Sequence, residues 1–526
     1  CASSEGVDAL LDDMPAPFKL SPAERLGRAR AFADAGRVEE LERELGLCGA
    51  EAQKPAGVRE HLQGLARLRA RRELPRAAEL LCRAAAENAG SAAERKFLAA
   101  RAHERNGDDA AARALYEQVL RGYPNSSFAE QAEYRSAQLA YSSGKFSVAL
   151  EAYDRYLRRH GARGAHSDDV RDERAISLLA LGRPTASKEL RALGDAAKDE
   201  RTRLRYLELE GVALQREKKL ELARARFNEV MQRAPLSFFA LAAEARLQAL
   251  GAPLPTPSPS RAKGALAPLE PKLPAAAELL HRVGLDREAE AALGEAESGV
   301  LRDYAGRGEQ ALCQLYGELA PAERRYRWGQ RAATSEELSS LPSDERRWLW
   351  DCVYPRPYSS LVTAFGDENG VEPEFIYAVM RQESSFRPEV ASGAQAQGLL
   401  QLMPSTASRL AQELNLSGAL DLRQPPQNVR LGAYYLRKLQ GWFANNPALV
   451  AAGYNAGPVA VLRWLRGSPD LDLDVFVARI PYDETRTYVE RVLSNYARYR
   501  YLAAQTAPIP FALRLPAPNV ENAELF

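Results

Sequence analysis

Apolar residues recur at helical spacing through most of the first half of this chain. Between residues 21 and 250 the helical pattern itself repeats about every 36 residues. In the clearest copies, "NGDDAAARALYEQVL", "SGKFSVALEAYDRYL" and "EKKLELARARFNEVM", an alanine and then an aromatic residue follow each turn at fixed offsets. The turn positions are Gly36, Glu73, Gly107, Gly144, Gly182 and Lys218. This pattern predicts helical hairpins stacked into an α-solenoid.

A second apolar stripe ends in a carboxylate. The segment that opens at Pro373 places Ile376, Val379 and Met380 on one helix face, and Glu383 continues that face. Burial on such a face raises the pKa of a carboxyl, and an acid that stays protonated near neutral pH can protonate a glycosidic oxygen. By periodicity alone, a glutamate that turns to solvent at the helix end is the favoured interpretation, and only the motifs that follow Glu383 reverse it.

Composition and charge narrow the classes of function. The chain has 526 residues, enough for several domains, and its 71 basic and 70 acidic residues leave a net charge of +1. This balance gives no basic surface of the kind that binds nucleic acid, and no run of about 18 apolar residues predicts a membrane-spanning helix. Residues 346–526 contain no histidine, which excludes Ser-His-Asp, Cys-His and ordinary zinc hydrolase mechanisms from that region. We expect no metal and no cofactor.

The spacing of the cysteines does not indicate a metal site or a redox site. None of the four internal ones is in a Cys-x-x-Cys pair, so neither a zinc site nor a redox pair is predicted for Cys48, Cys82, Cys313 and Cys352. Cys82 lies at an apolar repeat position and is expected to be a small core residue. A disulfide such as Cys48–Cys82 is left open.

The first residues, "CASSEGVDALLDD", resemble the start of a mature bacterial lipoprotein. The resemblance implies a lipid on Cys1, and Ala2 after it favours the outer membrane. An arbitrary boundary of the sequence is the alternative. We therefore expect contact with a membrane only through a lipid on Cys1, and a location on the periplasmic side of the bacterial outer membrane.

Four motifs in the last part of the chain follow each other in a characteristic order. They are "ESSF" at Glu383, "GAQAQGLLQLMPS", "AGYNAGP" and "IPYDETRTYV". This series resembles the catalytic domain of the soluble lytic transglycosylases, which has a lysozyme-like fold. The resemblance covers about 346–501, and the helical regions before it match that family in architecture.

The resemblance implies a mainly α-helical protein with a TPR-like solenoid, a short helical linker domain and a C-terminal lysozyme-like domain. The expected segments are a tether at 1–20, the superhelical domain at 21–252, a proline-rich linker at 253–274, the helical linker domain at 275–345, the catalytic domain at 346–501 and a proline-rich tail at 502–526.

The resemblance also assigns roles to single residues. Glu383 corresponds to the catalytic acid and base of the family. The residues implied to line the sugar cleft are Ser392, Gln401, Tyr454, Asn455 and Glu484. Two positions depart from the family pattern "GAxGLMQ", because Gln395 replaces a glycine and Leu400 a methionine. Glycine takes backbone angles that glutamine resists, so we expect this loop and its substrate preference to differ.

The implied activity is cleavage of the MurNAc–GlcNAc bond of peptidoglycan without water, leaving 1,6-anhydro-MurNAc ends. The implied partners are peptidoglycan glycan strands and, through the repeats, cell-wall proteins. Two alternatives stay open. The first is a lysozyme-type hydrolase in which Glu484 supplies the second carboxylate that hydrolysis needs. The second is a non-catalytic scaffold whose C-terminal domain only holds glycan.

Overall fold

A computed structural model describes residues 20–48, 55–255, 269–468, 470–504 and 511–517. The chain divides after Ser177 into two compact units. Within the described ranges no β-strand occurs, and extended residues pair only through isolated bridges. The prediction of a mainly α-helical fold is confirmed. Cys1 and most of the expected tether, linker and tail lie outside the described residues.

The first unit is a succession of antiparallel helices. They are α1 Pro22–Ala35, α2 Val38–Leu47, α3 Val58–Ala70, α4 Leu74–Glu87, α5 Ala92–Asn106, α6 Asp109–Gly122, α7 Ala129–Ser142, α8 Phe146–His160 and α9 Ser167–Ala180, which ends just past the division between the units. Each of the first seven helices packs against the next one through its apolar face. Hydrogen bonds from Tyr153 to Glu173 and from Arg174 to Asp154 join α8 to α9.

All six predicted turn positions have a left-handed backbone. Their φ angles are 70° at Gly36, 48° at Glu73, 83° at Gly107, 73° at Gly144, 63° at Gly182 and 64° at Lys218. Glycine takes this conformation without steric cost, whereas it is slightly strained for Glu73 and Lys218. The repeat therefore conserves a backbone angle rather than a residue type.

The alanine and the aromatic residue of each repeat fill the space between neighbouring helices. In the three clear copies every one of them is 0% exposed, namely Ala112, Tyr116, Ala149, Tyr153, Ala223 and Phe227. The small residue lets two helices approach closely, and the ring fills the layer beyond it.

The second unit continues with helices from the solenoid pattern and then those of the two later segments. They are α10 Ala186–Ala196, α11 Glu200–Arg216, α12 Leu220–Arg233, α13 Phe238–Ala249, α14 Ala275–Arg282, α15 Asp286–Asp303, α16 Gly308–Gly317, α17 Glu323–Ala332, α18 Ser335–Ser339, α19 Arg347–Val353, α20 Ser359–Asn369, α21 Pro373–Ser384, α22 Pro404–Glu413, α23 Pro425–Trp442, α24 Pro447–Ala456, α25 Pro458–Arg466, α26 Leu473–Ala478 and α27 Asp483–Ala504. No helix of the described residues is long and apolar enough to cross a membrane.

A buried ion pair joins α13 to α26. The guanidinium of Arg246, 5% exposed, donates to both carboxylate oxygens of Asp474 at 2.8 and 2.7 Å. Arg201 of α11 makes a similar contact with Glu490 of α27 at 2.6 Å. Removing one partner of such a pair would leave the other charge buried and unpaired. These contacts tie the last solenoid helices to the C-terminal helices, on which the candidate site is built.

A disulfide that the sequence did not predict connects Cys313 in α16 with Cys352 in α19. Both sulfurs are buried in the apolar core of residues 273–352, together with Leu312 and Trp328. Cys48 and Cys82, the pair that the sequence left open, are free thiols. The bridge pins two helices that are 39 residues apart in sequence.

Removing this bridge should destabilise the second unit. A disulfide that closes a loop of this length raises the free energy of unfolding by about 3–4 kcal/mol. We expect the double variant Cys313→Ala/Cys352→Ala to melt at a lower temperature, and a reductant to lower the melting temperature of the native chain in the same way. Cys82→Ala is the control. A double variant that melts with the native protein would contradict the contribution of the bridge.

Candidate active site

Helix α21 carries Glu383 into the protein. Pro373 occupies the first turn of the helix, where its missing N–H costs nothing, and Ile376, Val379 and Met380 are all 0% exposed. Glu383 lies one turn further along this buried face and is itself half-buried. The apolar stripe is therefore buried as its periodicity predicted, and Glu383 at its end is only partly exposed and accepts a hydrogen bond from within the protein.

The chain turns sharply directly after Glu383. Ser385 and Phe386 both have left-handed backbones, with φ angles of 51° and 68°. The Ser384 hydroxyl, 1% exposed, stabilises the turn by donating to the Met380 carbonyl and accepting from the Phe386 N–H. Two such residues in sequence are costly, and backbone strain of this kind concentrates at functional sites. It ends the helix so that Glu383 lies at its C-terminal edge.

The Glu383 carboxyl has one direct partner among the described side chains. The hydroxyl of Tyr488 in α27 donates to its Oε1 at 2.6 Å. Burial raises the pKa of Glu383 to about 7, the Tyr488 bond opposes that rise, and the negative charge of Glu484 adds to it. The carboxyl is thus divided between its acid and its ionised form near neutral pH.

Tyr454 lies beside Glu383 but is held by another partner. Its hydroxyl donates to the Leu400 carbonyl at 2.6 Å, and its ring packs on that of Tyr435 at 5.3 Å between centroids. Burial and the charge of Glu383 raise the pKa of Tyr454. The phenol therefore stays protonated, and the backbone of the "GLLQ" loop fixes its position.

The loop of residues 390–402 holds the next two predicted site residues. Ser392 is exposed, and its Oγ accepts from the Ala396 N–H at 3.0 Å. The side-chain amide of Gln401 donates to the carbonyls of Val390 and Gly398 at 3.0 and 2.9 Å. Both side chains therefore stabilise the loop through hydrogen bonds to its own backbone.

Gln395, one of the two departures from the family pattern, has a φ angle of 69°. This is the backbone angle that favours glycine, although the residue here is glutamine. Gly398 cannot change in this way, because a Cβ there would lie 2.0 Å from the Leu422 carbonyl oxygen.

Asn428, which the sequence reasoning did not select, organises this loop. It is 0% exposed, and its Oδ1 accepts from the Leu400 N–H at 2.8 Å. Its Nδ2 donates to the carbonyls of Gln397 and Leu422 at 3.0 and 2.9 Å. One side chain thereby satisfies three buried backbone groups around the residue to which Tyr454 is bonded.

The remaining predicted residues meet at the start of α27. The "NAGP" segment turns between α24 and α25 at Gly457, as predicted, and the Asn455 Oδ1 accepts from the Thr485 hydroxyl at 2.6 Å. Glu484 is exposed, on the same helix face as Tyr488 four residues later. That spacing is the signal from which Tyr488 could have been found.

The charge of Glu484 therefore acts on Glu383, and the charge of Glu383 acts on Tyr454. Asn455 is hydrogen-bonded to Thr485, the residue after Glu484. Ser392 and Gln401 contribute to the adjoining loop. In the described part of the chain, no group of three or more His, Cys, Asp or Glu side chains is placed to hold a metal ion.

Comparison with known proteins points to the same region. Residues 360–476 match the family model for the transglycosylase SLT domain, and residues 96–126 match a tetratricopeptide repeat. The chain is 36% identical over 164 residues to the soluble lytic murein transglycosylase of Salmonella typhimurium, a match that covers 30% of this chain and 25% of that protein. It is 32% identical over 174 residues to membrane-bound lytic murein transglycosylase C of Actinobacillus pleuropneumoniae, covering 28% and 47%.

A similar fold extends over more of the chain. The solved structure of an inactive Glu-to-Gln mutant of lytic transglycosylase Slt from Pseudomonas aeruginosa aligns with a TM-score of 0.54 and 22% identity, covering 96% of this chain and 85% of that one. At this identity the likeness shows the fold alone. The sequence matches span about a quarter of the length of the soluble relatives. Residues 360–476 are nevertheless a transglycosylase SLT domain, and in this part the chain is homologous to the soluble lytic murein transglycosylases, as its ordered motifs indicated.

Proposed function

We propose that this protein is a peptidoglycan lytic transglycosylase that cleaves the bond between MurNAc and GlcNAc without water. The observation that carries the proposal is the state of Glu383, a half-buried carboxyl whose pKa desolvation raises to about 7, inside an SLT domain. Such a group can give a proton and take one back at the same pH, which a single-residue acid and base mechanism requires.

In the first step Glu383 gives its proton to the glycosidic oxygen. The bond from C1 of MurNAc to that oxygen breaks, GlcNAc leaves with a hydroxyl group, and the acetamido oxygen of MurNAc shares the positive charge that develops at C1. The hydroxyl of Tyr488 donates to the resulting Glu383 carboxylate and stabilises it.

In the second step the Glu383 carboxylate takes the proton of the MurNAc 6-hydroxyl. The oxygen O6 then bonds to C1 and closes the 1,6-anhydro ring, and Glu383 is protonated again. No water enters, so the reaction is an intramolecular transfer. The proposed supporting residues hold the substrate: Tyr454, Asn455 and Glu484 around the acid, and Ser392 and Gln401 through the neighbouring loop.

The hydrolase alternative would use Glu484 as a second carboxylate. Glu484 is exposed, unlike Glu383, and its charge raises the pKa of Glu383. Raising that pKa keeps Glu383 protonated, which suits a supporting electrostatic role. We therefore favour the transglycosylase reaction.

Product analysis separates these functions. We expect purified sacculi, digested in water labelled with heavy oxygen, to release muropeptides that end in anhydro-MurNAc and carry no label. A lysozyme digest of the same sacculi is the control that incorporates label. Labelled reducing ends from this protein would show hydrolysis, and intact sacculi that retain the protein would favour the scaffold.

We further propose a location on the periplasmic side of the outer membrane, with Cys1 carrying the lipid and the repeats holding cell-wall proteins. The Cys313–Cys352 disulfide supports an oxidising compartment. The relative from Actinobacillus pleuropneumoniae is named membrane-bound. Labelling cells with a radioactive fatty acid tests the anchor, because a Cys1→Ser chain should then carry no label.

A further inference from the structure

Three large apolar side chains are exposed among the described residues of 346–504, and all of them adjoin the predicted motifs. They are Met403, Val459 and Tyr482, with exposed fractions of 41%, 43% and 54%. Each lies two to four residues from Gln401, Asn455 or Glu484. Single exposed apolar residues are common on any surface, but they are then scattered. Here all three lie in the segments that carry the predicted site residues.

Tyr482 is the most exposed of the three and is well supported. Its ring lies edge to face with that of Trp464, at 5.3 Å and 86°, and Trp464 is only 3% exposed. Its carbonyl accepts from the Arg486 N–H at 2.9 Å in the first turn of α27. A buried ring therefore holds it from behind, while more than half of its surface is open.

The position of Tyr482 relates it to the reacting centre. It precedes Glu484 by two residues, and the charge of Glu484 acts on Glu383. The adjacent Thr485 is bonded to Asn455. Tyr482 thus lies on the segment that carries Glu484 and Thr485, next to the first turn of α27.

The chemistry of an exposed aromatic ring suits a sugar. One face of a β-linked pyranose presents only C–H groups, whose positive charge is attracted to the negative face of an aromatic ring. We propose that Tyr482 is a specificity-determining residue on which a sugar ring of the glycan strand stacks, at a subsite remote from the cleaved bond. This inference rests on the proposed function, since it takes peptidoglycan glycan as the ligand.

The test is a binding measurement that does not require catalysis. In a Glu383→Gln background, calorimetric titration with purified, uncrosslinked glycan strands should give a Kd about 3–10-fold higher when Tyr482→Ala is added. Tyr482→Phe and Tyr482→Trp should bind within about twofold of the background, because they keep the aromatic face. Leu279→Ala, which removes a 63% exposed apolar side chain elsewhere, is the matched control.

Kinetics supply a second readout. With active protein, Tyr482→Ala should raise KM for long strands about 3–10-fold and leave kcat within about twofold, and the effect should disappear for the shortest cleavable fragment. An unchanged Kd in Tyr482→Ala would overturn the inference, as would a Phe variant as weak as Ala. If the native chain bound strands tightly without cleaving them, the proposed function would be refuted. The Kd of Tyr482→Ala would then still decide whether Tyr482 binds the strand.

Discussion

Replacing Glu383 by glutamine should lower the rate of sacculus cleavage by at least about 100-fold, and the variant should be no less stable than the native chain. Glutamine keeps the shape of the side chain and can still accept the Tyr488 hydrogen bond. It cannot give or take the proton. Turbidity loss of sacculi and thermal melting measure the two effects. Glu374→Gln, on the same helix but bonded to Arg356, is the control and should keep its activity.

The stability effect has a definite pH dependence. The folded chain keeps the Glu383 proton up to a pH of about 7, whereas an exposed glutamate loses it near 4.5. Ionising Glu383 therefore costs folding free energy as the pH rises between these values. Glu383→Gln should gain stability on the order of 2–3 kcal/mol above pH 7, and this gain should vanish below pH 4.5. An inactive variant that melts far below the native protein at pH 8 would indicate a structural role.

Replacing Asn428 by alanine should lower the free energy of unfolding by about 3–5 kcal/mol. The change leaves the Leu400 N–H and the carbonyls of Gln397 and Leu422 without their buried partner. Because Leu400 holds the Tyr454 hydroxyl, the rate should also fall. Asn428→Asp keeps an acceptor for Leu400 and should lie between alanine and the native residue.

Thermal melting and the sacculus assay check this prediction. The control is Arg437→Ala, an exposed change on the same helix. We also expect faster hydrogen exchange in residues 397–402 of the Asn428 variants. A stable, fully active Asn428→Ala chain would mean that the loop finds other partners.

The spacing of apolar residues predicted many of the helices and their buried faces, because a buried helix face requires apolar residues every three to four positions. It located the solenoid turns and the buried face that carries Glu383. Asn428 has the same signature in the sequence, because it shares a helix face with Tyr435 and Leu439 and is, like Glu383, a polar residue on an apolar stripe. At position 395 the residue type did not indicate the backbone angle, since Gln395 adopts the left-handed angle that favours glycine.

Other features depend on contacts between distant segments, which no local pattern records. The bond from Tyr488 to Glu383 joins residues 105 positions apart, and the Cys313–Cys352 bridge has no characteristic spacing. The expected domain boundaries and the roles of the cleft residues stay predictions. The relation to soluble lytic transglycosylases and the helical fold are confirmed.

The proposed mechanism depends most on a proton that Glu383 retains near neutral pH. Carboxyl carbon NMR of protein labelled in glutamate, with Glu383→Gln to assign the signal, measures this directly. We predict a titration midpoint of about 7, moving higher in Tyr488→Phe because that variant lacks the hydrogen bond that lowers the pKa. A midpoint near 4.5, the value of an ordinary glutamate, would contradict the account.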